Sequence, residues 1–261
     1  MTWQKYESNY VPGQTAAYKI SRSKIEMFIS CKRCFWLEKR MGIKQPSTPP
    51  FTINSAIDSL LKKEFDEYRK MQKPHPYMVD AKINAVPFRH KDLDKWRHNF
   101  TGVQALHEPT NILVFGAVDD VWVGPNGELI VVDYKATAKN KVISDLDPPG
   151  GWHDAYRRQM EIYQWLLRSN GFEVSNTGYF VYANADVNQA KFGNELKFDV
   201  RTFPYEGSSD WVESTLIKMK EVLEGDIPEV GRSIMGDICE HCNYAKLRTE
   251  MTIKAIQQKN K

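Results

Sequence analysis

Apolar and polar positions follow two different spacings along the chain. Apolar residues three and four positions apart are typical of amphipathic helices, and we expect helices over residues 21–42, 54–71, 153–171 and 209–225. Runs rich in β-branched and aromatic residues predict strands over residues 112–123, 128–137, 177–183 and 196–203. The mixture predicts an α/β fold in which helices flank a central mixed sheet.

Short polar signals indicate where the first two helices begin and end. Ser23 and Glu26 form the sequence pattern of a capping box, and Gly42 is typical of a helix end. Ser55 and Asp58 repeat the capping pattern near the start of the second helix. Helix capping is therefore one sufficient explanation of Asp58.

A Gly-Pro-Asn-Gly turn over residues 124–127 joins two strand-like segments into a predicted hairpin. A three-residue loop, with Gly127 in the left-handed conformation, would pair Gly124 with Glu128 and set Asp119 opposite Asp133. A two-residue loop would instead send Asp119 to the other face of the hairpin. The length of this loop decides whether the two carboxylates meet.

Two carboxylates that lie directly opposite each other repel unless a cation lies between them. Asp133 and Lys135 share one face of their strand, because side chains alternate. Carboxylate oxygens suit Mg²⁺ or Mn²⁺, and a nearby lysine can orient a water molecule or stabilise charge on a phosphate. We expect a divalent metal site at Asp119 and Asp133, in preference to a merely solvated polar face.

Composition and charge narrow the class of protein only slightly. A chain of 261 residues that is 41% hydrophobic can bury a sizeable core. No apolar run reaches the roughly 20 residues of a membrane span, and the first residues lack the apolar stretch of a signal peptide, so we expect a cytoplasmic protein with no membrane partner. The net charge of +3 is weak evidence for nucleic acid, although basic clusters lie near the hairpin.

The sequence resembles the PD-(D/E)XK nucleases of the RecB-like group. Their pattern is a Gly-x-x-Asp strand, an acidic-x-Lys strand and a helix with Gln-x-x-x-Tyr. The matching positions are Gly116, Asp119, Asp133, Lys135, Gln159 and Tyr163. The resemblance spans most of the chain and implies a restriction-endonuclease-like core.

The resemblance also implies roles for individual residues. Asp119, Asp133 and the backbone carbonyl of Tyr134 would hold the metal, and Lys135 would position the attacking water. The helix residues Gln159 and Tyr163 would face DNA, although Tyr163 also fits an apolar helical stripe. The family usually has a histidine on the preceding helix, where this chain has Asp58. Asp58 is therefore either a metal ligand or a helix cap.

All four cysteines occur in two Cys-x-x-Cys pairs, Cys31 with Cys34 and Cys239 with Cys242. Disulfides are disfavoured in the cytosol, so the pairs predict one four-thiolate metal site. The repeated spacing by itself favours Zn²⁺. We expect residues 19–45 and 226–261 to form a metal-binding cap of a single nuclease domain, residues 1–261.

The resemblance includes iron–sulfur members of the group, among them the CRISPR-associated exonuclease and the AddB-type nuclease domains. These proteins usually have one N-terminal and three C-terminal cysteines, and Arg248 stands here at the position of the last. Cys34 is an extra N-terminal cysteine and keeps the total at four. The resemblance therefore implies a [4Fe-4S] cluster, while Zn²⁺ remains the alternative.

The function that the resemblance implies is metal-dependent hydrolysis of DNA. We expect an exonuclease that acts on single-stranded DNA ends in DNA repair, recombination or CRISPR adaptation, with a helicase or an adaptation-complex protein as candidate partner. Two alternatives stay open. One is a DNA-binding or assembly module with a vestigial site, because Asp58 replaces the usual histidine. The other is a zinc-stapled endonuclease that cuts RNA or branched DNA.

Overall fold

The computed structural model describes residues 9–47, 49–232 and 237–259. Its helices are α1 (Arg22–Ser30), α2 (Lys32–Met41), α3 (Thr52–Met71), α4 (Pro76–Asp80), α5 (Leu93–Trp96), α6 (Asp154–Ser169), α7 (Trp211–Glu224) and α8 (Glu240–Lys259). Its strands are β1 (Tyr18–Ser21), β2 (Val86–Pro87), β3 (Val103–His107), β4 (Ile112–Gly116), β5 (Asp120–Val123), β6 (Leu129–Thr137), β7 (Thr177–Ala185) and β8 (Phe198–Glu206). Within these described ranges, no helix is long and apolar enough to cross a membrane.

A five-stranded mixed sheet with the order β2-β5-β6-β7-β8 confirms the predicted α/β fold. Neighbouring strands are antiparallel except β6 and β7, which run parallel. Parallel strands need a crossover connection, and α6 lies in the segment between them. A smaller sheet has the order β1-β4-β3.

The predicted strand over residues 112–123 is wrong as a single element. The structure divides it into β4 and β5, which belong to different sheets. Between them, the N–H of Val118 donates to the carbonyl of Trp96 instead of a strand neighbour. Gly102, at φ +60, lies so close to Gly116 that an added Cβ would collide with the Gly116 carbonyl. This close backbone approach ends β4 just before Asp119.

The predicted first helix is also divided, into α1 and α2. Cys31 interrupts it with extended backbone angles, φ −161° and ψ 106°. The helix begins two residues earlier than the Ser23–Glu26 capping box requires, and Ser21 occupies the N-cap. Gly42 ends α2 at φ 69° as predicted, in the left-handed conformation that favours glycine.

The chain divides into two compact units. The first comprises Met1–Thr48, Leu106–Leu113 and Glu213–Lys261, and the second comprises Pro49–Ala105 and Val114–Val212. The residues of the predicted cysteine cap, 19–45 and 226–261, fall within the ranges of the first unit.

In the second unit, α3 packs its apolar side on the mixed sheet. Phe65 stacks on Trp122 of β5, with ring centroids 5.5 Å apart, and contacts Tyr134 of β6 at the same distance. The buried residues of this core are Leu61, Phe65, Met78, Ile83, Ala85, Trp122, Val132, Tyr134 and Val181. Burying this apolar area is the main force that positions α3 on the sheet.

Gly178 in β7 allows α6 to approach the sheet closely. A Cβ at this position would collide with the side chain of Met160 and lie 3.0 Å from the Val131 carbonyl. Gln159 directly precedes Met160 on α6. The glycine therefore lets the helix bring Gln159 within reach of Asp133.

In the first unit, α2 is tied to the segment that follows α7. The indole N–H of Trp36 donates to the Gly225 carbonyl at 3.1 Å, and Nε of Arg33 donates to the Pro228 carbonyl at 2.7 Å. These hydrogen bonds hold the chain that leads to Cys239 beside the helix that carries Cys34.

Candidate functional site

The hairpin loop sets the register of the acidic residues. Gly124 donates its N–H to the Glu128 carbonyl at 2.9 Å, and Gly127, at φ 87°, donates to the Gly124 carbonyl at 3.0 Å. These contacts confirm the three-residue loop. The pairs of this ladder run from Val123 with Leu129 to Asp120 with Val132. Asp119 directly precedes the last paired residue of β5, and the register is the one that the three-residue loop predicts.

Asp119 lies at the entrance to β5, where it is partly open to solvent. Its Oδ2 accepts the backbone N–H of Tyr134 at 3.0 Å, and its Oδ1 lies 3.4 Å from Nζ of Lys62. About a fifth of its side chain is exposed (21%). Its carboxylate is therefore oriented by β6 and remains accessible to a ligand.

Asp133 is fully buried and is held by two side chains. Gln159 Nε2 donates to its Oδ1 at 2.6 Å, and Lys135 Nζ forms an ion pair with its Oδ2. Lys135 Nζ also donates to Gln159 Oε1 at 3.3 Å. Asp133, Lys135 and Gln159 thus form a closed triangle on the face of β6 that α6 covers.

Lys135 is a cation in this setting. Burial alone would lower its pKa, but the negative charges of Asp133 and Asp119 outweigh burial and raise the pKa above its ordinary value. Its ammonium also lies 4.3 Å from the centre of the Tyr156 ring. Because both carboxylates act on its pKa, the Lys135 ammonium lies near both of them.

Tyr163 does not reach an open surface. Its side chain is buried, and its hydroxyl accepts from Gln159 Nε2 at 3.3 Å. Gln159 is buried as well. The structure therefore places both residues behind Asp133, where they orient the carboxylate, and not on the exposed face that the resemblance implied.

Asp120 points away from Asp119, as the register requires. It is fully buried, and its carboxylate is paired with Arg69 at 2.5 Å and with Arg97 at 2.8 Å. The Tyr134 hydroxyl donates to its other oxygen at 2.8 Å. Both carboxylate oxygens of Asp120 therefore have partners within the protein, so Asp120 belongs to the core and not to the candidate site.

The second predicted capping box is absent. The helix α3 begins at Thr52, so Ser55 lies inside it, and the Ser55 hydroxyl donates to the Phe51 carbonyl. Asp58 is not explained by capping. Instead its Oδ2 pairs with Nζ of Lys62 at 2.8 Å.

Lys62 separates Asp58 from Asp119. Burial and the charge of Asp119 raise the pKa of Asp58, whereas the charges of Asp119 and Asp58 overcome burial and raise the pKa of Lys62. Among the described residues, Asp58, Asp119 and Asp133 do not bring three ligand atoms within 4.8 Å of one another. Asp58 and Asp119 thus both contact Lys62, which lies between them.

Sequence reasoning missed the lysine and both arginines. Lys62 lies one helical turn after Asp58, a spacing at which oppositely charged side chains meet. Arg69 lies one turn after Phe65, at a core position of the helix, which was a signal that its charge would be buried and paired. Arg97 gave no local signal, because its partner is 23 positions away.

The four cysteines converge in the first unit. Their sulfur atoms all lie within 4.8 Å of one another. Cys34 Sγ lies 3.5 Å from Cys242 and 3.7 Å from Cys239, and Cys31 Sγ lies 3.8 Å from Cys242. The predicted four-thiolate cluster is confirmed as an arrangement that can hold a metal ion.

The surroundings shift the pKa values of three of the thiols, and not all in the same direction. Burial alone would raise the pKa of Cys31, but the backbone N–H groups of Cys34 and Gly231 outweigh it and lower the pKa. Burial raises the pKa of Cys34, and it raises the pKa of Cys242 to about 11. Four thiolates at this spacing require a cation among them.

The two clusters differ in donor chemistry. Asp119, Asp133 and the Tyr134 carbonyl offer oxygen atoms, which fit a hard divalent cation such as Mg²⁺ or Mn²⁺. The cysteines offer four soft sulfur donors and fit a thiophilic metal. The chain therefore carries two chemically distinct candidate metal sites.

Comparisons with known proteins support this interpretation of the motifs. No curated protein matches the sequence. A solved structure described as "Crystal structure of SSO0001" is similar over 82% of this chain and 80% of that chain, at 15% identity and a TM-score of 0.37, which is too low to carry an argument. The family model of the PD-(D/E)XK nuclease superfamily matches residues 19–247. This match covers most of the chain, so the chain belongs to the PD-(D/E)XK nuclease superfamily.

Proposed function

We propose that this protein is a divalent-metal-dependent nuclease of the RecB-like group that degrades DNA from single-stranded ends. Membership of the superfamily supports the general part of this proposal, which is that the protein is a metal-dependent nuclease that acts on nucleic acid. The finer part rests on the motif order and on the site geometry. The single observation that carries it is that Lys135 pairs with Asp133 while the charge of Asp119 also acts on Lys135.

Each residue of the site has a distinct role in the proposal. Asp119, Asp133 and the Tyr134 carbonyl hold Mg²⁺ or Mn²⁺. When bound, such an ion supplies Lewis-acid stabilisation of the phosphate and lowers the pKa of a bound water. Asp133 retains lone pairs for this purpose, since each carboxylate oxygen can accept more than one partner.

Lys135 acts as a hydrogen-bond donor and a fixed positive charge. Its raised pKa keeps the ammonium protonated, so it orients a water molecule or the scissile phosphate and does not remove a proton. Gln159 positions both Asp133 and Lys135, because it bonds to each of them. Tyr163 fixes the amide of Gln159 from behind.

Asp58 joins this set only after a rearrangement. Its carboxylate is paired with Lys62, which also contacts Asp119. We propose Asp58 as a further ligand that becomes available when the ammonium moves aside. This order of events makes Lys62 the residue that governs entry of the cation.

The substrate and pathway follow from the resemblance to the RecB-like group. By this resemblance, we propose that the protein is an exonuclease of DNA repair, recombination or CRISPR adaptation. Its partner would be a helicase or an adaptation-complex protein. Arg157 and Arg158 directly precede Gln159 on α6, where both are partly exposed and Arg157 is paired with Asp154. Such charges favour contact with the phosphate backbone.

A cleavage assay tests the proposal directly. Purified protein is incubated with end-labelled linear single-stranded DNA, linear duplex DNA, circular single-stranded DNA and RNA, in Mg²⁺, Mn²⁺ or EDTA. We expect metal-dependent shortening of linear single-stranded DNA from an end, and resistance of the circle. Cleavage of the circle, or of RNA alone, would replace the exonuclease assignment by an endonuclease or a ribonuclease.

Matched variants separate chemistry from folding. Asp119→Asn and Lys135→Met remove the proposed roles at little change in volume, and we expect cleavage to fall by at least about 100-fold. Lys70→Met, which removes an exposed lysine of α3, is the control and should cleave normally. Near wild-type turnover in either site variant, with unchanged circular dichroism, would overturn the site assignment.

A further inference from the structure

The distances between the cysteine sulfur atoms distinguish two kinds of metal site. Three of the separations are 3.5, 3.7 and 3.8 Å, and all four atoms lie within 4.8 Å of one another. The distances between the sulfur atoms limit the size of the metal ion or cluster that the four cysteines can hold.

A single tetrahedral ion and an iron–sulfur cubane need sulfur tetrahedra of different sizes. Zinc–sulfur bonds of about 2.3 Å in tetrahedral geometry put the ligand sulfurs about 3.8 Å apart. A cubane carries each cysteine on a different iron atom, which spreads the ligand sulfurs to roughly 6 Å. The observed tetrahedron has the smaller size and does not fit the cubane that the resemblance implied.

Backbone contacts hold the cysteine segments at this separation. Gly231 donates its N–H to Cys31 Sγ at 3.4 Å and accepts the N–H of Cys239 at 2.9 Å. It lies so close to Cys31 that an added Cβ would be 2.7 Å from the Cys31 Cα. Expansion of the tetrahedron would have to break these contacts, because Gly231 bridges the N-terminal and C-terminal cysteines.

We propose that Cys31, Cys34, Cys239 and Cys242 bind one zinc ion as a closed structural site. Four thiolates fill the tetrahedron, so no position remains for water or substrate. The site joins α2 to the start of α8 and contributes folding free energy to the first unit. It is independent of the proposed nuclease activity, which depends on oxygen ligands in the second unit.

Metal analysis tests the zinc assignment without an activity assay. The full chain is produced in medium supplied with both iron and zinc, purified without oxygen, dialysed to remove weakly held ions, and analysed by mass spectrometry of its elements. We expect one zinc per chain, no stoichiometric iron, and a colourless solution. Four irons per chain with broad absorption in the visible blue would overturn the proposal, as would a chain that retains neither metal.

Variants assign the zinc to the cysteines. Cys242→Ser should lose the zinc, whereas Asp133→Asn, which alters the oxygen site, should keep it. If Cys242→Ser does not fold, the wild-type chain serves instead: a mercurial reagent should release one zinc as four thiols react. Zinc that stays bound after all four thiols have reacted would place the ion elsewhere and overturn the proposal.

Replacement of zinc by cobalt supplies a spectroscopic check. Co²⁺ in a tetrahedral four-thiolate site shows intense visible and near-ultraviolet bands, which an oxygen-ligated ion lacks. We expect these bands in the wild type and in Asp133→Asn, and their loss in Cys242→Ser. A cobalt form with only weak octahedral bands would contradict the four-thiolate assignment.

Discussion

Asp119 and Asp120 are adjacent in the chain, yet their carboxylates accept hydrogen bonds from different groups of the same residue, Tyr134. Asp119 accepts the Tyr134 N–H at the partly open end of β5, whereas Asp120 accepts the Tyr134 hydroxyl inside the core. Two neighbouring residues of the same type therefore have separate tasks. The first is available for metal chemistry, and the second neutralises Arg69 and Arg97.

We expect the Asp120→Asn variant to have a lower free energy of unfolding than the wild type, because Asp120 supports the core and takes no direct part in cleavage. The change leaves two largely buried guanidinium groups without their shared carboxylate, and breaking a buried ion pair from one side costs about 3 to 5 kcal/mol. Denaturant unfolding followed by circular dichroism measures the difference. Asp119→Asn is the matched control and should lose little stability, so equal losses in both variants would contradict the division of tasks.

Gln159 should affect turnover more than stability. Gln159→Leu removes the hydrogen bond to Asp133 and the acceptor of Lys135 but keeps a side chain of similar volume on α6. We expect kcat to fall by about 10- to 100-fold with KM nearly unchanged, as for a residue that positions a catalytic group.

Tyr163→Phe provides the comparison for Gln159. The hydroxyl makes one 3.3 Å contact to Gln159 and leaves the buried ring in place when it is removed. We expect only a small loss of kcat. A larger loss in Tyr163→Phe than in Gln159→Leu would indicate that the tyrosine, and not the glutamine, acts on the substrate.

Lys62 should oppose metal binding. Its ammonium contacts Asp58 at 2.8 Å and Asp119 at 3.4 Å, in the space where a divalent cation would be attracted. Removing one positive charge at such short range should tighten Mn²⁺ binding by about tenfold or more, even in a partly solvated site. Calorimetric titration of Lys62→Gln at pH 8, where the carboxylates are ionised, measures the change.

The control for Lys62 is the next residue. Lys63→Gln removes the same charge from an exposed position on α3 and should leave the Mn²⁺ affinity unchanged. Weaker binding by Lys62→Gln than by the wild type would show that Lys62 supports the site, and would contradict the competition between the lysine and the metal.

Glu224 should make the first unit sensitive to acid. The Tyr10 hydroxyl and then Lys220 lower the pKa of Glu224 to about 2, and the Gly13 N–H contributes a further bond at 2.9 Å. A carboxyl with a lowered pKa stabilises the fold above its unfolded pKa of about 4.3, and this stabilisation is lost as the pH falls from about 4.3 toward 2. The effect is modest, because the side chain is partly exposed.

Glu224→Gln tests this pH dependence. We expect the variant to be less stable than the wild type at pH 7 and nearly equal to it at pH 2. Thermal unfolding across that range, followed by circular dichroism, gives the difference at each pH. A stability difference that does not shrink below pH 4 would show that the lost interaction is not the ionised carboxylate.

Local chemistry in the sequence was sufficient for the hairpin. The Gly-Pro-Asn-Gly turn specified the three-residue loop and with it the register of the two strands, from Val123 with Leu129 to Asp120 with Val132. Each of these features depends on residues close in the chain, where turn geometry and strand periodicity act directly. The paired cysteine spacing likewise predicted a cluster, because two Cys-x-x-Cys pairs are typical of a four-thiolate metal site.

Tertiary structure decided everything that depends on distant partners. The approach of Gly102 to Gly116 broke one predicted strand into two, and the packing of α6 on Gly178 turned Gln159 and Tyr163 inward. Such outcomes depend on steric fit between segments far apart in sequence, which no local pattern encodes. The sequence by itself indicated which side chains are candidates for the chemistry, whereas three-dimensional packing decided which of them meet, because only packing sets the distances between separate elements.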